Sequence, residues 1–151
     1  ITALCVLPGG CLAGGTYARD LWFWDLNSGK TIARFTGLSA AVKVLGTSKS
    51  EAVLAAGLKD SGMLRWRLDE SDSLTKINGN PAPALAAAVW REPIVLSGGA
   101  DGEIRIIGLE SKKFLYRHAY GTAIVCGALA AEGGQGIVGD KAGRIHRFTI
   151  D

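Results

Sequence analysis

The sequence predicts an all-β fold made of four consecutive copies of one small antiparallel sheet. Two series of glycines recur in phase along the 151 residues: Gly15, Gly57, Gly98 and Gly139, and then Gly37, Gly79 and Gly121. The steps are 42, 41 and 41 residues in the first series and 42 in the second. A period near forty residues with four short strands per copy is typical of a β-propeller blade. The predicted blades, in a single domain, are residues 1–37, 38–79, 80–121 and 122–151.

In the first two copies, short apolar segments alternate with turn residues, as expected of strands in a small sheet. The predicted strands of the first copy are Ile1–Val6, Cys11–Gly14, Asp20–Leu26 and Lys30–Phe35. Those of the second copy are Ala41–Leu45, Ala52–Ala56, Met63–Leu68 and Leu74–Ile77. Gly29 can take the positive φ that ends a hairpin loop. Ser71-Asp72-Ser73 predicts a longer polar hairpin in the second copy.

The last two copies follow the same order, but the fourth stops one strand short. The predicted strands of the third copy are Leu85–Trp90, Ile94–Ser97, Glu103–Gly108 and Lys113–His118. Those of the fourth are Ile124–Leu129, Gly136–Val138 and Arg144–Ile150. A ring of blades does not close while one blade lacks its outer edge. We therefore expect the carboxy-terminal half of a larger propeller, whose remaining blades come from an upstream segment or a second chain. A self-contained four-bladed ring is the remaining alternative.

The first copy carries the motif Phe23-Trp24-Asp25-Leu26-Asn27-Ser28-Gly29-Lys30, preceded by Gly15 and followed by Gly37. This segment resembles the Trp-Asp (WD) repeat family of β-propellers, and weaker matches cover nearly the whole chain. The end of the fourth copy, Ile137–Phe148, also looks like the closing blade of bacterial NTPase-linked or protease-linked WD-repeat sensors. The resemblance implies a propeller fold, and the second match implies a ligand-sensing context.

This chain departs from the family at a histidine. In the family, the His of a Gly-His pair joins the turn Asp and the Trp in a buried hydrogen-bond network. Leu38, Asn80 and Thr122 stand at that position here. We therefore expect these blades to depend more on packing than on a buried polar network.

Both faces of each blade are expected to lie against neighbouring blades, so the third strands should be apolar on most positions. The side chains expected in the core are Leu21, Phe23, Trp24, Trp66, Ile104, Ile106, Ile145 and Phe148. Trp22 is the exception, because Leu64, Arg105 and His146 at the equivalent positions differ in polarity. It is expected at a rim or partner contact.

Residues that could carry chemistry do not form a catalytic pattern in this sequence. His118 and His146 have no serine or cysteine at triad-like positions. Asp60, Asp101 and Asp140 each fall between a second and a third strand, where turn formation accounts for them. We therefore predict no catalytic residue, no metal site and no cofactor. The alternative, an enzyme propeller for a quinone or small ligand, requires carboxylates or histidines converging on the inner strands.

The predicted function is a non-enzymatic protein-interaction or scaffold module, because propeller loops vary freely over a rigid frame. The loops between second and third strands are expected to present the binding residues Tyr17, Arg19, Lys59, Asp60, Asp101, Asp140 and Lys141. Their mixed charges favour a protein or peptide partner over a polyanion. The basic residues Lys141, Arg144 and Arg147 are interpreted as a solvated surface, so nucleic acid is not favoured. A bacterial sensor domain is the alternative function.

Composition predicts an ordinary globular chain. It has 48% apolar and 21% charged residues and a net charge of +3. No apolar run approaches the roughly 20 residues of a membrane-spanning helix, so no membrane partner is expected. Cys5, Cys11 and Cys126 have no metal-ligand spacing, and their odd number favours reduced thiols in a cytoplasmic protein.

Overall fold

The computed structural model describes residues 1–47, 53–67, 74–77, 82–90, 94–108, 111–130 and 134–150. These residues form fifteen strands in four antiparallel sheets, three of four strands and one of three. The all-β prediction is confirmed, and so is the missing outer strand of the last sheet. The predicted hairpins at residues 71–73 and 91–93, with Ala52 and Leu68 of the predicted strands, lie outside the described residues.

Each sheet is a meander in which strands adjacent in sequence pair with each other. The strands of blade 1 are β1 (Ala3–Leu7), β2 (Cys11–Gly15), β3 (Leu21–Asp25) and β4 (Thr31–Phe35). Those of blade 2 are β5 (Val42–Thr47), β6 (Val53–Leu58), β7 (Met63–Arg67) and β8 (Thr75–Ile77). Those of blade 3 are β9 (Ala84–Trp90), β10 (Ile94–Gly99), β11 (Glu103–Gly108) and β12 (Phe114–Ala119). Blade 4 has β13 (Ile124–Leu129), β14 (Gln135–Asp140) and β15 (Ile145–Thr149).

The blades meet along their first strands. β1 contacts β5, β5 contacts β9 and β9 contacts β13, so these strands form the inner side of the arc. Two repeat glycines permit the close approach of the blades. A methyl group on Gly15 would collide with Val42 at the start of β5, and one on Gly57 would lie 2.7 Å from the Cβ of Ala84 in β9. Gly15 and Gly57 therefore mark the points where blade 1 meets blade 2 and blade 2 meets blade 3.

Three apolar clusters fill the spaces between consecutive blades. The largest joins blades 1 and 2 and includes Phe23 and Trp66, whose ring centroids are 3.8 Å apart. The second joins Val53 and Met63 of blade 2 to Ile107 of blade 3. The third lies between blades 3 and 4, and its buried members are Leu96, Ile104, Ile106, Ile124, Val138 and Phe148. The core is thus divided into layers, one per junction.

Strand alternation decides which neighbour each third-strand side chain meets, because successive side chains point to opposite faces. Trp66 contacts blade 1, and Ile107 and Phe148 likewise pack against the blade before their own. Phe23, Met63 and Ile104 pack against the blade that follows. Each junction is therefore built from one face of each of its two blades.

Two expected core residues lie instead at the ends of the arc. Trp24 occupies the position of Trp66 but is only partly buried, and Ile145 occupies the position of Ile104 but is 78% exposed. The prediction of full burial was wrong for both. The reason is geometric: within the described chain, blade 1 has no preceding blade and blade 4 has no following blade.

Candidate functional site

The loops between second and third strands lie at one rim of the arc. The segments that connect consecutive blades reach the same rim, and their backbones form hydrogen bonds with these loops. Leu38 N–H donates to the Arg19 carbonyl at 3.1 Å, and Lys59 N–H donates to Ala41 at 2.9 Å. Lys141 N–H donates to Ala123 at 2.8 Å in the last blade. These backbone hydrogen bonds hold the rim loops rigidly in place.

A positive φ recurs four residues after each repeat glycine. The residues concerned are Arg19 (66°), Ser61 (70°), Gly102 (81°) and Gly143 (82°). Glycine adopts this left-handed backbone freely, whereas a residue with a Cβ is strained there by about 1 kcal/mol or more. The turn predicted at Asp101 is present, with Gly102 at the positive φ. Blades 1 and 2 form the same turn with Arg19 and Ser61 in place of glycine.

The structure brings Tyr17 of blade 1 together with Lys59 of blade 2. The Lys59 ammonium lies 5.6 Å from the centre of the Tyr17 ring, a cation–π distance. Tyr17 is 65% exposed, and Arg19 in the same turn is also exposed. An exposed aromatic ring and an ammonium therefore lie together at the junction of blades 1 and 2, and the exposed Arg19 belongs to the same turn as the ring.

The three aspartates of the predicted site are all engaged within their own turns. Asp60 accepts from Gly62 N–H at 3.0 Å, Asp101 accepts from Glu103 N–H at 3.2 Å, and Asp140 accepts from Ala142 N–H at 3.0 Å. The turn-forming role predicted for them is therefore present in each blade. Their role in contacting a partner stays a prediction, as does that of the exposed Lys141.

These bonds shift the carboxyl groups toward the charged form. A hydrogen bond from Ser39, with help from Gly62 N–H, lowers the pKa of Asp60. For Asp101, burial alone would raise the pKa, but hydrogen bonds from Arg105 and Glu103 N–H lower it overall. The hydrogen bond with His146 and the contacts from Arg144 hold the pKa of Asp140 far below its ordinary value. All three aspartates are thus anions at neutral pH.

Both histidines belong to a ring ladder that connects blades 3 and 4. His118 lies 4.6 Å from Tyr120, and Tyr120 stacks on His146 at 4.1 Å between ring centres. His146 Nε2 contacts the Asp140 carboxylate at 2.9 Å, and that carboxylate is fully buried. The sequence gives no periodic signal for this ladder, because its members come from β12, the following loop and β15.

The end faces of the arc form a second candidate surface. Leu4 and Val6 are exposed on blade 1 beside the stacked indoles of Trp22 and Trp24, whose centroids are 5.8 Å apart. Arg34 lies over the Trp22 ring at 4.2 Å. Trp22, expected at a rim or a partner contact, lies on this open sheet face and not at the rim, and its contact with a partner stays a prediction. Blade 4 exposes Ile137 and Ile145. A shallow groove of about 300 Å³ lies near the loop between β13 and β14, and Ile137 lines it.

The described residues do not gather the side chains that metal binding requires. Across the described ranges, no cluster of three or more histidines, cysteines or carboxylates is close enough to hold an ion. Cys5, Cys11 and Cys126 are free thiols. A search of the described chain for a helix long and apolar enough to span a membrane finds none.

Solved structures share this arc of blades. The crystal structure of the RRP9 WD40 repeats superposes with a TM-score of 0.88 over 99% of this chain and 48% of that chain, at 18% identity. The chain has the WD-repeat β-propeller fold. The computationally designed protein Ika4 matches with a TM-score of 0.85 at 21% identity, over 100% of this chain and 91% of that one. The chain thus matches nearly the whole of one solved chain and about half of another.

Two curated WD-repeat relatives match at the level of sequence. The pre-rRNA-processing protein IPI3 of Mycosarcoma maydis is 25% identical in an alignment 134 residues long that covers 74% of this chain and 23% of that protein. The human WD repeat-containing protein 36 is 25% identical over 114 residues, 73% of this chain and 13% of that protein. The chain thus spans less than a quarter of either relative. No protein-family model matches it. Neither relative bears the name of a bacterial sensor.

The WD-repeat turn aspartates find new cationic partners in this chain. Arg105 is fully buried and pairs with both Asp101 and Glu103, the latter at 2.8 Å. Arg144 and His146 pair with Asp140 at 2.7 and 2.9 Å. Blades 3 and 4 therefore contain a polar network of their own, and the expectation that they depend more on packing than on such a network stays a prediction. The sequence does not reveal this polar network, because the cationic partners come from the third strand and the turn before it and not from the Gly-His position.

Proposed function

We propose that this WD-repeat chain is a non-enzymatic protein-interaction module whose rim binds a protein or peptide. The observation that carries the proposal is the exposed Tyr17 ring held beside Lys59 on a rim fixed by backbone hydrogen bonds. Tyrosine and arginine are enriched among residues that dominate interface energies. Tyr17 and Arg19 are the expected anchors, and Lys59, Asp60, Asp101, Asp140 and Lys141 extend the same rim.

The relatives support an interaction role over catalysis. Both are proteins of the WD-repeat class, and their names describe repeat content or RNA processing. The carboxylates of the rim are already bonded within turns, which leaves them poorly placed for acid–base chemistry. The sensor and the quinone-binding alternatives have no support from the comparisons. A cytoplasmic location rests on the free thiols and stays a prediction.

The end faces support a second part of the proposal: further blades, from an upstream segment or a second chain, cover them. Trp66 is 4% exposed where blade 1 covers it, whereas Trp24 at the same position of blade 1 is only partly buried. A blade packed against Leu4, Val6 and Trp24 would give this tryptophan the environment of its counterpart. Apolar surface buried in this way contributes roughly 25 cal/mol per Å².

The rim is tested by affinity capture followed by mass spectrometry, with wild-type and Tyr17→Ala/Arg19→Ala chains as baits. We expect the double variant to lose the proteins that the wild type retains while its melting temperature is nearly unchanged. Lys112→Ala is the matched control, because Lys112 is a cation in the loop between β11 and β12, at the end of β11 opposite the rim. This variant should retain the captured proteins. Equal capture by all three baits would refute the rim, and parallel loss of folding would make Tyr17 and Arg19 structural residues.

The end faces are tested by native mass spectrometry of the isolated chain. We expect species larger than the monomer, and we expect Leu4→Glu/Val6→Glu to return them to the monomer without loss of β-sheet circular dichroism. A folded wild-type monomer would contradict the need for additional blades.

A further inference from the structure

One corner of the rim gathers cations from three chain segments. We name it the blade 1–2 corner, and it consists of Tyr17, Arg19, Lys43 and Lys59. Val42 N–H donates to the Thr16 carbonyl at 3.2 Å, which ties the start of β5 to the turn of Tyr17 and Arg19. Lys59 N–H donates to Ala41, which ties the blade 2 turn to the same place. Lys43 is exposed at the bulge in β5 between Val42 and Val44.

The carboxylates near this corner already have partners. Asp20 pairs with Arg34 at 2.9 Å, and Asp60 accepts from Ser39 and from Gly62 N–H. Within the described ranges, no carboxylate bonds Arg19, Lys43 or Lys59. The side chains of Arg19, Lys43 and Lys59 are exposed. The corner therefore offers three positive groups without a bonded internal counter-ion.

Backbone geometry adds an independent observation at Arg19. Blades 3 and 4 place glycine at this turn position, and both glycines have positive φ. Arg19 takes the same conformation at φ 66°, although a residue with a Cβ is disfavoured there. Among the residues that the structure describes, none bonds the Arg19 guanidinium, so the turn carries a strained residue whose side chain is exposed. Strain of this kind is often found where a side chain serves binding.

We propose that the blade 1–2 corner binds an acidic segment of a protein partner, with Arg19 as a direct carboxylate contact. This inference rests on the proposed rim function and names the chemistry of the partner. The guanidinium matches a carboxylate through two parallel hydrogen bonds. Tyr17 supplies apolar area, and its ring is already held in place by Lys59. Lys43 and Lys59 are positioned to contact flanking acidic residues.

The corner fits an acidic peptide better than a nucleic acid. Asp60 is exposed beside Lys59, and its pKa is lowered by the bond from Ser39, so it is an anion at neutral pH. A continuous phosphate backbone would meet this charge, whereas a peptide can place a neutral or basic residue opposite it. The corner also exposes one aromatic ring, while single-stranded nucleic acid binding relies on several rings on which successive bases stack.

The test uses the full chain and fluorescein-labelled poly-L-glutamate, with binding followed by fluorescence anisotropy. We expect saturable binding that weakens with added salt. Arg19→Gly should raise the Kd at least about tenfold, because it removes both hydrogen bonds from the guanidinium to a carboxylate. Because glycine relieves the strained φ, the same variant should keep or raise the melting temperature, so weaker binding would not reflect unfolding. Arg19→Ala should weaken binding equally while keeping the strain.

Ser61→Gly is the matched control, because it changes the equivalent turn of blade 2 from serine to glycine at φ 70°. It should leave the Kd unchanged. Wild-type affinity in Arg19→Gly would overturn the proposal, and so would tighter binding of oligo-dT than of poly-L-glutamate. If poly-L-glutamate fails while affinity capture still depends on Tyr17 and Arg19, the acidic partner is refuted and the rim function stands.

Discussion

The buried carboxylate of Asp140 contacts Nε2 of His146 at 2.9 Å, and so ties the last residue of β14 to the second residue of β15. The same carboxylate accepts from Arg144 N–H at 3.0 Å and from Arg144 Nε at 2.7 Å. Tyr120 stacks on the other side of His146, so this one aspartate also fixes the junction with blade 3.

Asp140→Asn is expected to destabilise the chain at neutral pH, because an amide cannot replace an anion that pairs with the Arg144 guanidinium and accepts hydrogen bonds from its own turn. The folded-state pKa of Asp140 lies below its unfolded value, so its contribution is complete above about pH 3.9 and declines as the pH falls further. The urea midpoints of wild type and variant should therefore differ at pH 7, and the difference should begin to shrink only below about pH 3.9, as the pH falls toward the strongly lowered pKa of the folded state. Asp60→Asn, at an exposed equivalent turn, is the control with a smaller effect. A pH-independent difference would rule out the charge as the cause.

Asp101→Ala is expected to destabilise blade 3 by about 3 kcal/mol, since it leaves a buried cation short of a partner. The Arg105 side chain is 1% exposed, and its remaining ion pair is with Glu103 at 2.8 Å. Urea unfolding measures the loss. Arg105→Met/Asp101→Ala should recover most of it, because the variant removes the unpaired charge together with its anion. A double variant no more stable than Asp101→Ala would contradict this account.

Gly57→Ala is expected to cost about 1–3 kcal/mol through overpacking at the junction of blades 2 and 3. The added methyl group would lie 2.7 Å from Ala84 Cβ and 2.8 Å from Val44 Cγ1, and neither strand can move without shifting its sheet. Thermal unfolding provides the measurement. Gly57→Ala combined with Val44→Ala should regain part of the stability, whereas a neutral single substitution would show that the junction is looser than described.

Ile104→Lys and Ile145→Lys change the same position of two consecutive blades and should differ sharply. Ile104 is 0% exposed between blades 3 and 4, whereas Ile145 is 78% exposed on the end face. We expect Ile104→Lys to prevent folding and Ile145→Lys to leave the melting temperature within a few degrees of wild type. Circular dichroism separates the two outcomes. Loss of β-sheet circular dichroism in both variants would contradict the difference in burial between the two positions.

The repeat signal explains why so much of the fold was accessible from the sequence. Gly15 and Gly57 recur because a backbone must pass close to the next blade, and that requirement leaves a mark at fixed spacing. The strand positions could be predicted from the same repeat spacing. Burial at Trp24 and Ile145 was not accessible, because it depends on which neighbours a blade has and not on the blade itself.

The polar contacts were less accessible for a different reason. Arg105 looks like an ordinary exposed charge in the sequence, and only its packing against Asp101 and Glu103 shows that it is buried. The contact between Tyr17 and Lys59 links two blades, so no local sequence pattern predicts it. Side-chain contacts of this kind depend on how distant segments pack in the fold, and no short sequence segment determines them.

Within the described part of the chain, β15 pairs with β14 alone, so the amide and carbonyl groups along its other side are open to a further strand. An open strand edge is a template for any extended chain that meets it. Concentrating the isolated chain therefore favours sheet growth between copies and, in time, fibrous aggregates. A lysine in place of Thr149, next to Arg147, would oppose this growth by charge repulsion.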